Sequence, residues 1–491
     1  MKSLLEIKSF GGTAAENDEI DKYFLETPVF DRLWEGERCI VAGRKGTGKT
    51  ALFIALQNRA KATKRPYRSA SFRQYPWSAH EQYTSNESAP IERYVESWHF
   101  FLLIQTFIAL NDAKEHFFSP ATKPLSEVRK FIKDNYGNTD QGFNMVFPQG
   151  GFSLKSITPK LIPLSSATVD VSLPRESANL GRALPRLNEW LEGKLRAIAE
   201  YMPPTYVLFD ELDLGFNPKD ESYTSRLAGL LIATQRYAKW CAEHDAPVRP
   251  IVFLRSDILN SLHFGDLNKI REANLLELKW HDNVRSTHGE SLKALIDFRI
   301  SKAMNLPEDI ENPWEAAFEN RRMRGNQNKF QHITFRTFLR PRDVIKFCNL
   351  ALEEAQRDGA SIITNEHINR AQERYSEFFY YELDDEIGQT WPNWKEGLDV
   401  LRKIETTHFT RKDFEEEYAK MSKSRNLSLD PTEMLNMLYQ FSIIGYTTGK
   451  ETDVFRYKNE SFSFDIQAKS FRVHRGLKKV LGLTEGLSER H

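Results

Sequence analysis

The stretch Cys39-Ile40-Val41-Ala42-Gly43-Arg44-Lys45-Gly46-Thr47-Gly48-Lys49-Thr50 constrains this chain more than any other. A short apolar run ends at Gly43, and Gly43 to Thr50 fits G-x-x-x-x-G-K-[ST], the spacing of a phosphate-binding loop. Glycines at those places let the backbone curl until its N–H groups face a phosphate, and a helix beginning near Ala51 adds its positive N-terminal end. Gly43, Arg44, Lys45, Gly46, Thr47, Gly48, Lys49, Thr50 and Ala51 are therefore expected to cradle a nucleotide. Lys49 is expected to reach the β- and γ-phosphates, and the Thr50 hydroxyl to ligate Mg²⁺. A strand–loop–helix unit of this kind belongs in an α/β fold with a doubly wound parallel sheet.

Two later runs extend that sheet. Thr205 to Phe209 is continuously apolar and ends in Asp210-Glu211-Leu212-Asp213. Such runs are strands buried on both faces, whose carboxyl ends share the edge that carries the loop. Asp210 is then placed to hold Mg²⁺ through water, and Glu211 to polarise an attacking water. Asp213 either joins them or only caps the turn. Pro250 to Leu254 is a second buried run, followed by Arg255-Ser256-Asp257. Arg255 or Ser256 could sense a γ-phosphate, because losing that phosphate removes a charge-assisted partner. Alternatively, Arg255 pairs with a neighbouring acid.

The length of 491 residues suits about two to four domains. With 68 basic against 68 acidic residues, no global field points to nucleic acid or membrane, so such a partner needs a local patch. Three scattered cysteines offer neither a disulfide framework nor a zinc spacing, which suits a reducing cytoplasm. The first residues lack an apolar signal-like stretch, and the run Phe100 to Leu110, broken by Gln105 and Thr106, is too short to span a bilayer.

In order, residues 1–30 form a polar strap and 31–262 the core. An insertion at 136–182 separates short β-like pieces with prolines and Gly150-Gly151. From about 263 the strand–helix alternation stops. Helices are predicted over 291–304, 313–324, 341–358 and 364–381, a helical lid spanning 263–385. Thr364 is a plausible N-cap, but His367 stands where a Glu would complete a capping box, so none is expected. Pro341 suits a first helical turn. Arg340 and Arg342 beside it either donate to a nucleotide or pair with acids such as Asp343. Residues 390–485 show three short helices and a hairpin around Gly449, the pattern of a winged helix. Lys469, Arg472, Arg475, Lys478 and Lys479 then form an acid-free run that could meet phosphates. The candidate recognition helix, 431–441, has no Lys or Arg, which argues against major-groove reading and for a protein contact.

Gly43 to Thr50, Phe209-Asp210-Glu211, Phe253-Leu254-Arg255-Ser256-Asp257 and Leu339-Arg340-Pro341-Arg342-Asp343 occur in the order of an AAA+ or STAND-type ATPase. The chain resembles bacterial members of that group found in phage-defence and mobile-element loci. The resemblance implies ATP and Mg²⁺ as cofactors, with Lys49 and Thr50 as Walker A ligands, Asp210 and Glu211 as Walker B acids, and Arg255 as the sensor arginine. It implies a cytoplasmic, homo-oligomeric switch that hydrolyses ATP and controls a separate effector protein. A DNA-loading ATPase similar to origin-recognition proteins, and an ATP-binding scaffold with little turnover, are the alternatives. Lys269 and Arg271 are the candidates for an arginine finger.

Overall fold

The computed structural model describes residues 1–72, 80, 91–113, 119–136, 180–212, 220–282, 291–388, 390–448 and 453–487. The expected insertion at 136–182, apart from its first and last residues, lies outside this set, and so does Asp213. The chain divides into two compact units, Glu26–Lys279 and Met1–Leu25 with Trp280–His491.

The first unit is built on five parallel strands, β1 (Ile40–Gly43), β2 (Tyr67–Ser71), β3 (Thr205–Asp210), β4 (Val248–Arg255) and β5 (Leu275–Glu277), in the order β2-β3-β4-β1-β5. Every residue of β3 is buried, and because alternate side chains point to opposite faces, both faces of the sheet are covered. The doubly wound α/β core is therefore as expected. One cover is the helix Glu92–Asp112, in which Trp98, Phe101, Leu102 and Phe107 are all buried. It packs on Glu221–Glu243, whose start is capped by Asp220 accepting from Ser222 N and Tyr223 N. The two helices approach closely at Gly229, where a Cβ would lie 2.6 Å from Tyr94 Cβ.

The sheet does not end near 262. After the helix Leu267–Ala273, β5 pairs with the other side of β1, and Leu278 N donates to Ala42 O at 2.7 Å. A three-residue strand is too short to show a period, which is why the sequence pattern passes over it.

The second unit contains the helices Leu292–Met304, Pro313–Ala317, Lys329–Thr334, Pro341–Arg357 and Asn365–Ile387. The predicted helix over 313–324 stops at Ala317, because Phe318 leaves the helix to bridge Ile363. At Thr364 a capping box does form: His367 Nδ1 accepts from Thr364 N at 3.0 Å, an imidazole nitrogen doing what a carboxylate usually does. The polar strap belongs largely to this unit. Asp18 pairs with Arg299 at 2.7 Å, and Gln356 Nε2 donates to the carbonyls of Leu4 and Ile7.

The chain ends in helices Lys395–Ile404, Arg411–Ser422 and Pro431–Gln440 with strands β6 (Thr406–Thr410), β7 (Ile444–Thr447), β8 (Asp453–Val454), β9 (Ser470–Val473) and β10 (Thr484–Leu487). Their sheet order is β10-β6-β9-β7-β8. Helix, strand, helix, helix and hairpin follow one another in a winged-helix-like arrangement. The acid-free basic run is not bare. Arg472 pairs with Asp453 at 2.7 Å and with Glu485, Lys478 pairs with Glu485, and Lys479 pairs with Glu373. The acids come from elsewhere in the chain, so local composition overstated the patch.

Candidate nucleotide site

Strand register assembles the candidate site. Gly43 at the end of β1 is level with Arg255 at the end of β4, and Asp210 at the end of β3 is level with Ser71 at the end of β2. All lie at the carboxyl edge of one parallel sheet, where ligands of doubly wound folds sit.

The loop between β1 and the helix Lys49–Ala62 has the backbone its glycines allow. Gly46 and Gly48 have φ of 83° and 97°, in the left-handed region that side chains resist. A Cβ at Gly43 would lie 2.5 Å from Thr47 Oγ1, so that position is closed to any larger residue. Thr47 Oγ1 braces the curl by donating to Arg44 O at 2.8 Å. Lys49 Nζ donates to Gly43 O at 2.8 Å and Arg44 O at 3.1 Å, which holds the ammonium over the loop. The helix is long enough for its N-terminal dipole and unpaired N–H groups to favour an anion.

Thr50 Oγ1 donates to Asp210 Oδ2 at 2.9 Å. Burial pushes the Asp210 carboxyl up to about 6, against the opposing hydrogen bonds from the Glu211 backbone and Thr50 and the nearby Lys49 charge. A buried carboxylate with a threonine hydroxyl beside it is a donor set that suits Mg²⁺, which takes one or two protein oxygens and completes its shell with phosphate and water. Glu211 has φ of 60°, an uncommon conformation for a side-chain-bearing residue. Its carboxylate accepts from the Ser71 hydroxyl. Ser71 went unnoticed in the sequence. The signal available was its place as the last residue of the strand beside the acidic one.

Arg255 forms a fork to Asp257, with Nε to Oδ1 at 3.0 Å, and Ser256 Oγ is buried beside it without a hydrogen-bond partner among the described residues. Lys269 pairs with Asp266, and Arg271 donates to Asn260. In the second unit, Arg340 is 1% exposed, and its guanidinium binds Asp343 at 3.0 Å and also Glu386. Burial opposes that charge, but the two acids outweigh it and hold the guanidinium protonated above its ordinary range. Of the two readings open for this arginine, the acid pair is the one observed; a guanidinium enclosed in this way is not presented to a ligand. Arg342, more exposed, pairs with Glu382 at 3.1 Å.

Residues 290–384 match the model of a family described as the FunZ-associated C-terminal helical domain. A protein described for transposon gamma-delta of Escherichia coli (strain K12), of 80.3 kDa, is 25% identical over 413 residues, covering 81% of this chain and 54% of that protein. The chain thus spans about half the length of this curated relative. Among solved structures, the Aeropyrum pernix ORC2 protein is similar in its ADPNP–ADP complexes, at 12% identity and a TM-score of 0.37, covering 98% of this chain and 95% of that one. Its ADP form gives 12% identity and a TM-score of 0.30, with 92% and 89% covered. Likenesses this loose carry no argument about activity. No helix among the described residues is long and apolar enough to cross a membrane.

Proposed function

We propose that the chain binds and hydrolyses ATP at the carboxyl edge of its parallel sheet and acts as a nucleotide-dependent switch. The observation that carries this reading is the Thr50–Asp210 hydrogen bond. It joins the phosphate loop to an acidic strand end 160 residues away, on the sheet edge shared with Arg255. In this reading the loop N–H groups and Lys49 bind the phosphates, and Thr50 and Asp210 hold Mg²⁺, which when bound neutralises phosphate charge. Glu211 orients and deprotonates the attacking water. Arg255 senses the γ-phosphate by exchanging Asp257 for it, since only a group with different partners in the two nucleotide states can report between them. Homo-oligomer formation and control of a separate effector extend the same reading. They are supported by the sequence resemblance alone, as is a defence role. Action on DNA is the second reading. It is favoured by the relative's description as a transposon protein.

The test is nucleotide binding and turnover by purified chain. Lys49→Ala is expected to lose nucleotide affinity, and Glu211→Gln to keep affinity while losing turnover. Undiminished ATP binding by Lys49→Ala would overturn the site assignment.

A further inference from the structure

The loop between Phe318 and the helix Lys329–Thr334 carries Arg321, Arg322 and Arg324, all exposed. Among the described residues, no carboxylate lies within ion-pair distance of any of them, in a chain whose other cations are commonly paired. The loop is not a loose tether. Gly325 and Asn326 have φ of 78° and 59°, and this consecutive left-handed pair folds the chain back so that Met323 N donates to Gln327 O at 2.8 Å. Met323 is 4% exposed and plugs the loop into the unit. From beneath, the buried Lys329 donates to Arg321 O, and Asn365 Nδ2 to Arg322 O at 2.8 Å. Lys329 also pairs with Glu319 at 3.5 Å, so the acid within this loop has a cation of its own. The Arg322 guanidinium braces the turn on Asn326 O at 2.9 Å.

We propose that this loop is a binding surface for the phosphate backbone of a nucleic acid. Guanidinium forks match phosphate oxygens bidentately, and a pre-shaped loop loses little conformational entropy when it binds. The exposed amide of Asn320 adds a neutral donor of the kind that accompanies arginine at sugar–phosphate contacts. The whole chain carries no net charge, so attraction to a polyanion must come from a local surface of this sort. The surface stands apart from the ATP reading, since none of its residues belongs to the phosphate loop or the acidic strand.

The test measures anisotropy of a labelled random-sequence DNA duplex with the full-length chain across a salt series. Two variants, the triple Arg321→Ala/Arg322→Ala/Arg324→Ala and the triple Arg→Lys at the same positions, are compared with the parent after matching their melting temperatures. Parent binding should weaken with salt. The alanine triple should lose about tenfold or more in affinity and flatten the log–log salt slope by about 2 to 3, and the lysine triple, which keeps the charge but not the fork, should keep the slope and lose part of the affinity. Equal binding by parent and alanine triple overturns the proposal. So does binding to polyglutamate without binding to the duplex, which would make the loop a dock for an acidic protein.

Discussion

Thr50 Oγ1 lies 2.9 Å from Asp210 Oδ2, and the carboxyl group it binds is raised to about 6 by burial. The charged form of Asp210 is thus held at a cost of about 3 kcal/mol at neutral pH, at about 1.4 kcal/mol for each pH unit that separates the folded carboxyl from an ordinary one. Because the folded value lies above the ordinary 3.8, the folded chain binds the extra proton, and stability falls as pH rises from about 4 to about 6. Asp210→Asn removes this charge and keeps an acceptor for Thr50. In urea unfolding it is expected to be about 1 to 3 kcal/mol more stable than the parent at neutral pH, with the gap closing towards about pH 4. A pH-independent gap would contradict the raised carboxyl. The same variant should lose Mg²⁺-dependent nucleotide binding.

Ser71 holds the Glu211 carboxylate from the neighbouring strand end. A hydrogen bond at an exposed site contributes about 0.5–1.5 kcal/mol net, so in the proposed reading this contact restrains the acid that turns towards water. Ser71→Ala is expected to raise single-turnover ATP hydrolysis by about three- to tenfold with nucleotide affinity unchanged. A slower variant would mean that the hydroxyl positions Glu211 for catalysis and does not hold it back.

Arg340 sits in the interior of its unit between Asp343, which is fully buried, and Glu386. Removing one partner of a buried pair leaves an uncompensated charge and costs about 3–5 kcal/mol. Arg340→Ala should therefore lower the stability of the Trp280–His491 region by that amount, read by denaturant unfolding, while nucleotide affinity at Lys49 and Thr50 stays near the parent value. A folded variant that binds ATP weakly would instead return Arg340 to the nucleotide.

The candidate site was legible wherever a local rule fixes it. Gly43, Gly46, Gly48, Lys49 and Thr50 are set by the backbone a phosphate loop needs, and Asp210 and Arg255 by their places at the ends of apolar runs. The long helix Glu221–Glu243 announces itself by its length and periodicity. What escaped depends on partners far along the chain. Ser71 meets Glu211 across 140 positions, Arg340 meets Glu386 across 46, and Lys479 meets Glu373 across 106. Sequence neighbours say nothing about such pairs, so the basic run at 469–479 reads as bare, and for Arg340 the neighbouring Asp343 is legible while Glu386 is not. The short β5 and the imidazole-closed cap at Thr364 were lost for a different reason: each departs from the length or residue type its rule assumes.

His474 gives the last prediction. It is 1% exposed and lies among the rings of Phe338, Phe379 and Tyr457 at 4.8, 5.0 and 5.2 Å. Its Nδ1 accepts from Gly476 N at 3.1 Å, which requires that nitrogen to be unprotonated. Burial, with the Lys458 charge second, pushes the imidazole down to about 3. The folded value lies below the ordinary 6.5, so the stability it contributes is present above about pH 6.5 and is lost as pH falls towards 3, at about 1.4 kcal/mol per pH unit. His474→Asn keeps an acceptor for Gly476 N but cannot titrate. At neutral pH it should be less stable than the parent by about 1 to 3 kcal/mol through lost packing, and the difference should shrink steadily between about pH 6.5 and pH 4.5. A difference that stays constant over that range would show that protonation of His474 is not what acid acts on.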